Sequence, residues 1–146
     1  WKFVDEEVSA VCSPRFLKVC GPVREVKDLA RMPLLHLEEH YKASIVWPHW
    51  LRHFGATVRQ PQTVFRFNDY SIVLQAAIEG QSIAQGWKHI VDPLIQQGLL
   101  VQPLSPSITT DQPFYVIAPR DRELRSDVEH LKNWLIQEVS GIRSRV

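Results

Sequence analysis

Between Phe67 and Leu104 the chain reads FNDYSIVLQAAIEGQSIAQGWKHIVDPLIQQGLLVQPL: a capped helix, a glycine stop, a short buried strand, a glycine turn, a second helix and a second strand. That alternation belongs to an α/β ligand-binding lobe. Asn68 and Asp69 stand where an N-cap belongs, and Val73, Leu74, Ala77 and Ile78 recur at helical spacing with Gln75 and Glu79 on the other face. Gly80 is expected to stop this helix in a left-handed conformation. Ser82 to Gln85 follows as a short strand with Gly86 as its turn. Ile90, Val91, Leu94 and Ile95 form an apolar stripe ending at Gly98, and Leu99 to Val101 returns as a strand. Open α/β sheets bind ligands in the crevice at the carboxyl ends of their strands, and free N–H groups at a helix start attract anions. The turns at Asn68–Ser71 and Gly86–Trp87 are therefore the candidate ligand contacts.

The rest of the chain narrows the class. With 146 residues, 45% of them hydrophobic, it is long enough to bury the core of one ordinary soluble domain or slightly less. Lys and Arg number 17 against 16 for Asp and Glu, and no basic run occurs, so the electrostatic footprint of a nucleic-acid binder is missing. Cys12 and Cys20 offer neither a disulfide framework nor a zinc spacing, which points to reduced thiols in a cytoplasmic protein. There is no apolar run long enough for a membrane span and no signal-peptide pattern, although a segment preceding Trp1 would carry any such signal. His49 and His53 sit at i, i+4 but, with Trp50 and Phe54 interleaved, read as a partly exposed helix face rather than a metal pair. No GxSxG, Walker or GxGxxG loop is present, so neither catalysis nor a cofactor is expected.

Further elements extend the α/β pattern. Val8, Ala10 and Cys12 alternate with Ser9 and Val11 in a strand that Ser13–Pro14 converts into a helix. Glu25 to Arg31 reads as a short helix with Val26, Leu29 and Ala30 inward, and Pro33 to Leu37 as a buried strand. Residues 38–46 show no period. Trp47 to Phe54 reads as a helix with proline in its first turn and Gly55 as the stop, and Thr63 to Phe67 as a strand. Pro103 to Gln112 is expected as a loop and Pro113 to Ala118 as the last strand. Leu124, Val128, Leu131, Leu135 and Val139 then mark one face of a long closing helix.

These motifs together resemble the effector-binding domain of LysR-type transcriptional regulators. EVSAVCSP at Glu7–Pro14 is similar to the family's crossover strand, LARMPLLH at Leu29–His36 to its Pro-Leu-Leu pattern, and Trp47 to Gly55 to its Trp-x-x-Trp-Leu helix. LQAAIEGQSIAQG at Leu74–Gly86 resembles the glycine core, Leu100 to Pro103 the return strand, and Phe114–Ile117 with Trp134–Glu138 the closing strand and helix. Among subgroups the pattern is most similar to regulators of the glycine-cleavage-activator type. Ser82 stands where the family has its second core glycine. The resemblance implies a type II periplasmic-binding-protein-like architecture: residues 1–11 crossing from lobe I, 12–104 forming regulatory lobe II, and 105–146 returning to lobe I. It also implies that the N-terminal helix-turn-helix and the first half of lobe I lie outside this chain. Homodimers or tetramers through the regulatory domains, DNA contact only through the helix-turn-helix and no membrane partner follow from it. A periplasmic solute-binding protein and a small-carboxylate dehydratase are the alternatives on the same fold.

The candidate ligand residues are Asn68, Asp69, Tyr70, Ser71, Trp87, Ser13, His36 and Trp47. Asp69 is first of all a helix cap, and Ser13 either bonds an effector carboxylate or caps the helix after it. Of Trp47 and Trp50, one is expected in the core and the other at the surface, while Trp134 is expected to pack within the final helix. Tyr70, Trp87, Trp47 and Tyr41 could form an aromatic wall beside the Asp69 carboxylate, which suits a quaternary ammonium. The Gly86–Trp87 pair resembles that of family members controlling the use of choline-type compounds, such as choline sulfate. Its sulfate would rest on free N–H groups at Tyr70 and Ser71.

Overall fold

A computed structural model describes residues 1–38, 46–57 and 64–143. The chain forms two compact units, one of Glu7–Ile108 and one of Trp1–Glu6 with Thr109–Val146. In chain order the elements are β1 (Lys2–Val4), β2 (Glu7–Val11), α1 (Pro14–Cys20), α2 (Val26–Leu29), β3 (Leu34–Leu37), α3 (Trp47–His53), β4 (Val64–Phe67), α4 (Tyr70–Ile78), β5 (Ala84–Trp87), α5 (Lys88–Gln96), β6 (Ser107–Thr109), β7 (Phe114–Tyr115) and α6 (Ser126–Arg143).

In the larger unit, β3 and β4 run parallel with Leu34 opposite Val64 and Leu37 opposite Phe67. A parallel bridge between Leu34 and Ile83, with the Leu35 N–H bonded to the Ile83 carbonyl at 2.9 Å, carries the sheet on into β5, β2 and β6. Strand β2 is antiparallel to β5, pairing Val8 with Trp87 and Val11 with Ala84. Because side chains alternate along a strand, Val11, Leu35 and Ala84 share one face, and there they meet Val73 and Ala77 of α4, Val91 of α5 and Leu100 in the apolar core. The other face carries Val8, Ala10, Ile83, Gln85, Leu34 and His36. Strand β2 is buried along almost its whole length, so the expected two-sided alternation is absent there; a central strand covered on both faces needs none.

Local chemistry sets the boundaries. Ser13 caps α1 by accepting the Phe16 N–H at 3.1 Å, with Pro14 in the first turn where its missing N–H has no partner to lose. Gly80 closes α4 at φ 77°, as expected from its position. Gly86 differs from expectation: it lies inside β5, not in a turn after it. A Cβ there would stand 2.8 and 2.9 Å from the Val11 methyls and 3.0 Å from Val91 Cγ1, so glycine is required for close packing of β2, β5 and α5. The strand expected at Ser82–Gln85 is shifted to Ala84–Trp87. Ser82 precedes it with its hydroxyl donating to the Pro33 carbonyl, a tie between the starts of β5 and β3 that a glycine could not make.

Three other expectations are corrected. Leu99–Val101 contributes a single bridge, Cys12 to Val101, rather than a strand. The region expected as a loop from Pro103 to Gln112 contains β6, which extends the sheet beside β2 and buries Ile108. Trp47 and Trp50 are both core residues, 1% and 0% exposed, because each indole N–H reaches a backbone carbonyl: Leu35 at 2.8 Å and Val8 at 3.1 Å.

In the smaller unit β1 pairs antiparallel with β7, matching Lys2 to Tyr115 and Val4 to Phe114. Trp1 and Val116 exchange two bonds of 2.8 Å, from the terminal amine to the Val116 carbonyl and from the Val116 N–H back to the Trp1 carbonyl. The last strand is thus two residues long, not the six of 113–118. The buried Glu6 carboxylate accepts the Thr110 hydroxyl at 2.7 Å. Val139 of α6 is buried, but Val128 and Leu131 are exposed and Trp134 is 54% exposed, so the expected packing of Trp134 is not found. Among the described residues no helix is long and apolar enough to cross a membrane.

Candidate functional site

Tyr70 and Trp87, expected at neighbouring strand ends, meet in the larger unit. Asp69 ends the segment after β4 and caps α4, so Tyr70 occupies the first helical position. Its hydroxyl donates to the Gln85 carbonyl at 3.2 Å and accepts the Trp87 N–H at 3.2 Å. The two rings stand edge to face, 4.7 Å apart between centroids and 88° between planes. Burial pushes the Tyr70 hydroxyl above its ordinary range, partly offset by the Trp87 N–H, so it remains a neutral phenol. Tyr70 therefore clamps the start of α4 to the carboxyl end of β5. Trp87, 6% exposed, forms the wall beside it.

Asp69 accepts the Ser71 N–H at 2.7 Å. That backbone bond, followed by one from the Ser71 side chain, holds the carboxyl below its usual range. The Ser71 N–H is therefore not free for an anion, and the proposed sulfate seat at Tyr70–Ser71 loses one of its two donors. Asn68, Asp69 and Ser71 are exposed. Ser13 is buried and caps α1, the structural alternative of its two readings. Trp47 is enclosed in the core with its N–H occupied, which leaves it no surface to offer a ligand. Tyr41 lies outside the described residues.

His36, near the carboxyl end of β3, has its Nε2 buried with no hydrogen-bond partner. Burial first, and the Arg66 charge second, hold its pKa below the ordinary histidine value. Arg66 stands opposite His36 in the β3–β4 register and pairs with Glu38 at 2.9 Å. The residue missed from the sequence is Gln85, 8% exposed, with its Nε2 also buried and unpartnered. The available signal was a long polar amide in the middle of an otherwise small and apolar strand, AQGW.

The described residues bring together no group of three or more His, Cys, Asp or Glu able to hold a metal ion. The Cys12 thiol is pushed up to about 12 by burial, then by Cys20, and a protonated buried thiol is a poor nucleophile. The groups that converge on the carboxyl end of β5 are hydrogen-bonding and aromatic. That set suits recognition of a small molecule.

The LysR substrate binding domain family matches residues 2–140. The glycine cleavage system transcriptional activator of Escherichia coli (strain K12) is 26% identical over 140 residues, covering 96% of this chain and 45% of that protein. The HTH-type transcriptional regulator DsdC of Escherichia coli (strain K12) is 24% identical over 141 residues, covering 93% and 44%. The chain thus spans a little under half the length of these curated relatives. The effector domain of AmpR from Pseudomonas aeruginosa superposes with a TM-score of 0.76 at 18% identity, covering 99% of this chain and 68% of that one. The CrgA regulatory domain from Neisseria meningitidis, a LysR-type transcriptional regulator, gives 0.71 at 18% identity, covering 95% and 67%. The structural likeness carries the fold, and the family match extends over nearly the whole chain. This protein chain belongs to the LysR substrate-binding-domain family, a family of non-enzymatic effector-binding domains of transcriptional regulators.

Proposed function

We propose that the chain is the part of a LysR-type regulator that binds a small-molecule effector at the carboxyl end of β5, and that binding there shifts the regulator between packing states. The observation that carries this reading is the junction of Tyr70, Gln85 and Trp87, where a helix start and a strand end are fastened by hydrogen bonds around an aromatic pair. Control of transcription would act through a separate helix-turn-helix domain, in a cytoplasmic protein. The net charge of +1 supports the view that this segment does not itself grip DNA.

The lobe assignment is part of the same proposal: residues 1–11 cross from lobe I, 12–104 form lobe II and 105–146 return to lobe I. The separation of Glu7–Ile108 from the two terminal segments is in keeping with it. Association of regulatory domains into dimers or tetramers is supported by the exposed Val128, Leu131 and Trp134 of α6, an apolar face that water covers poorly. The sequence alternatives, a periplasmic solute-binding protein or a dehydratase, gain nothing from a match to the LysR family.

The finer reading of the effector is a zwitterionic quaternary ammonium such as choline sulfate. The Tyr70–Trp87 pair supports an aromatic wall, whereas the Asp69–Ser71 bond weakens the anion seat first assigned to Tyr70 and Ser71. Calorimetry on the intact protein tests it. Choline sulfate should bind and Trp87→Ala should weaken it about tenfold, the factor that about 1.4 kcal/mol represents. Equal affinity in the variant, or preference for an uncharged aromatic ligand, rejects this effector class.

A further inference from the structure

Gln85 Nε2 and His36 Nε2 are both buried and both lack a hydrogen-bond partner. A buried polar atom without a partner costs stability, so two of them at the ends of neighbouring strands call for an explanation. Their positions follow from the sheet register. Leu34 bridges Ile83 in parallel, and two residues further along each strand come His36 and Gln85, on the same face. On the far side of His36 the next strand places Arg66 in register with it. One step back, the corresponding positions on β3 and before β5 are apolar: Leu34 and Ile83. Toward the carboxyl ends of the parallel strands, where open α/β sheets take their ligands, these positions change from apolar to nitrogen-bearing: His36 beside Arg66 on β3 and β4, and Gln85 on β5.

We infer that Gln85 and His36, backed by the Arg66 charge, form a donor row that receives an oxyanion of the effector, a carboxylate or a sulfate. The proposal rests on the sensing function above and moves the anion seat away from Ser71. The Gln85 amide offers N–H donors, and a neutral imidazole with its proton on Nε2 offers another. Arg66 contributes a positive potential while remaining tied to Glu38. Neutral donors aimed at an anion avoid bringing a second buried charge into the sheet. The depressed pKa of His36 is consistent with a neutral ring in that place. Trp87, two residues beyond Gln85 on β5, is placed to line the less polar part of the same ligand.

The test is a nuclear magnetic resonance titration of the intact protein with sodium acetate and, separately, sodium sulfate. Saturable shifts of the Gln85 side-chain amide and the His36 ring nitrogens are expected, and the ion giving the tighter response identifies carboxylate or sulfate. Gln85→Leu removes the unpartnered amide while keeping similar volume. It should raise Tm of the ligand-free protein by roughly 2–4 °C and weaken the ion at least tenfold. His36→Gln keeps a donor and should retain most of the response, which a purely packing role would not predict. A Gln85→Leu protein with lower Tm and unchanged ion affinity overturns the proposal. So does finding a buried water only, seen as water contacts at both nitrogens that neither ion displaces. A saturable response confined to the Trp87 indole, or no response at any of the three residues, would reject the donor row and leave the sensing function standing.

Discussion

Two tryptophans on α3 and one on α6 separate the two units of this chain. Trp50 is wholly enclosed in the larger unit, while Trp134 in the smaller one is 54% exposed on a helix whose Val128 and Leu131 are also bare. Apolar residues recur at helical spacing in both places, so periodicity marks the apolar face without saying what covers it. The larger unit covers its own face: each α3 indole finds both apolar neighbours and a carbonyl acceptor within the unit. The smaller unit holds its strand pair and the buried Val139, and leaves Val128, Leu131 and Trp134 of α6 exposed.

Substitutions can break that contrast. Trp50→Ala should cost about 3–5 kcal/mol by the loss of a large buried ring, measured by denaturant unfolding. Trp134→Ala should stay within about 0.5 kcal/mol where α6 is uncovered. Equal costs would mean that α6 is covered as fully as α3. A loss of self-association by Trp134→Ala in light scattering would identify a second copy as the cover. Gly86→Ala should cost about 1–3 kcal/mol, because Val11 and Val91 leave no room for a methyl group. Ser13→Ala should cost about 1 kcal/mol by removing the α1 cap.

The smallest expected effect is on pH dependence. Folding depresses the His36 pKa below 6.5, so in mildly acid solution the unfolded chain holds more protons than the folded one. The contribution of the neutral ring is therefore complete above the unfolded pKa and falls as the pH drops below it. Replacing His36 by Gln should flatten the acid side of the stability profile; an unchanged slope would place the sensitivity elsewhere.

The readable parts of the fold were those governed by local chemistry. Ser13–Pro14, Asp69 and Gly80 marked real helix boundaries because caps and left-handed stops act within a few residues. Gly86 was misread because a glycine needed for close packing looks, in sequence, like one needed for a turn. Strands β1 and β6 were missed because Lys2–Val4 and Ser107–Thr109 are too short to show a period and depend on partners far along the chain. At the site, the Tyr70–Trp87 contact was legible from strand-end positions. Gln85 was not, since an unpartnered buried amide becomes visible only when its neighbours are known.

The most direct test of the account compares hydrogen–deuterium exchange of the intact protein with and without a small molecule that raises its Tm. Protection is expected at residues 68–71 and 85–90, around the Tyr70 clamp, with α6 unchanged apart from any effect of assembly. A stabilising ligand whose protection falls only on Val128–Trp134, leaving the carboxyl end of β5 untouched, would contradict it.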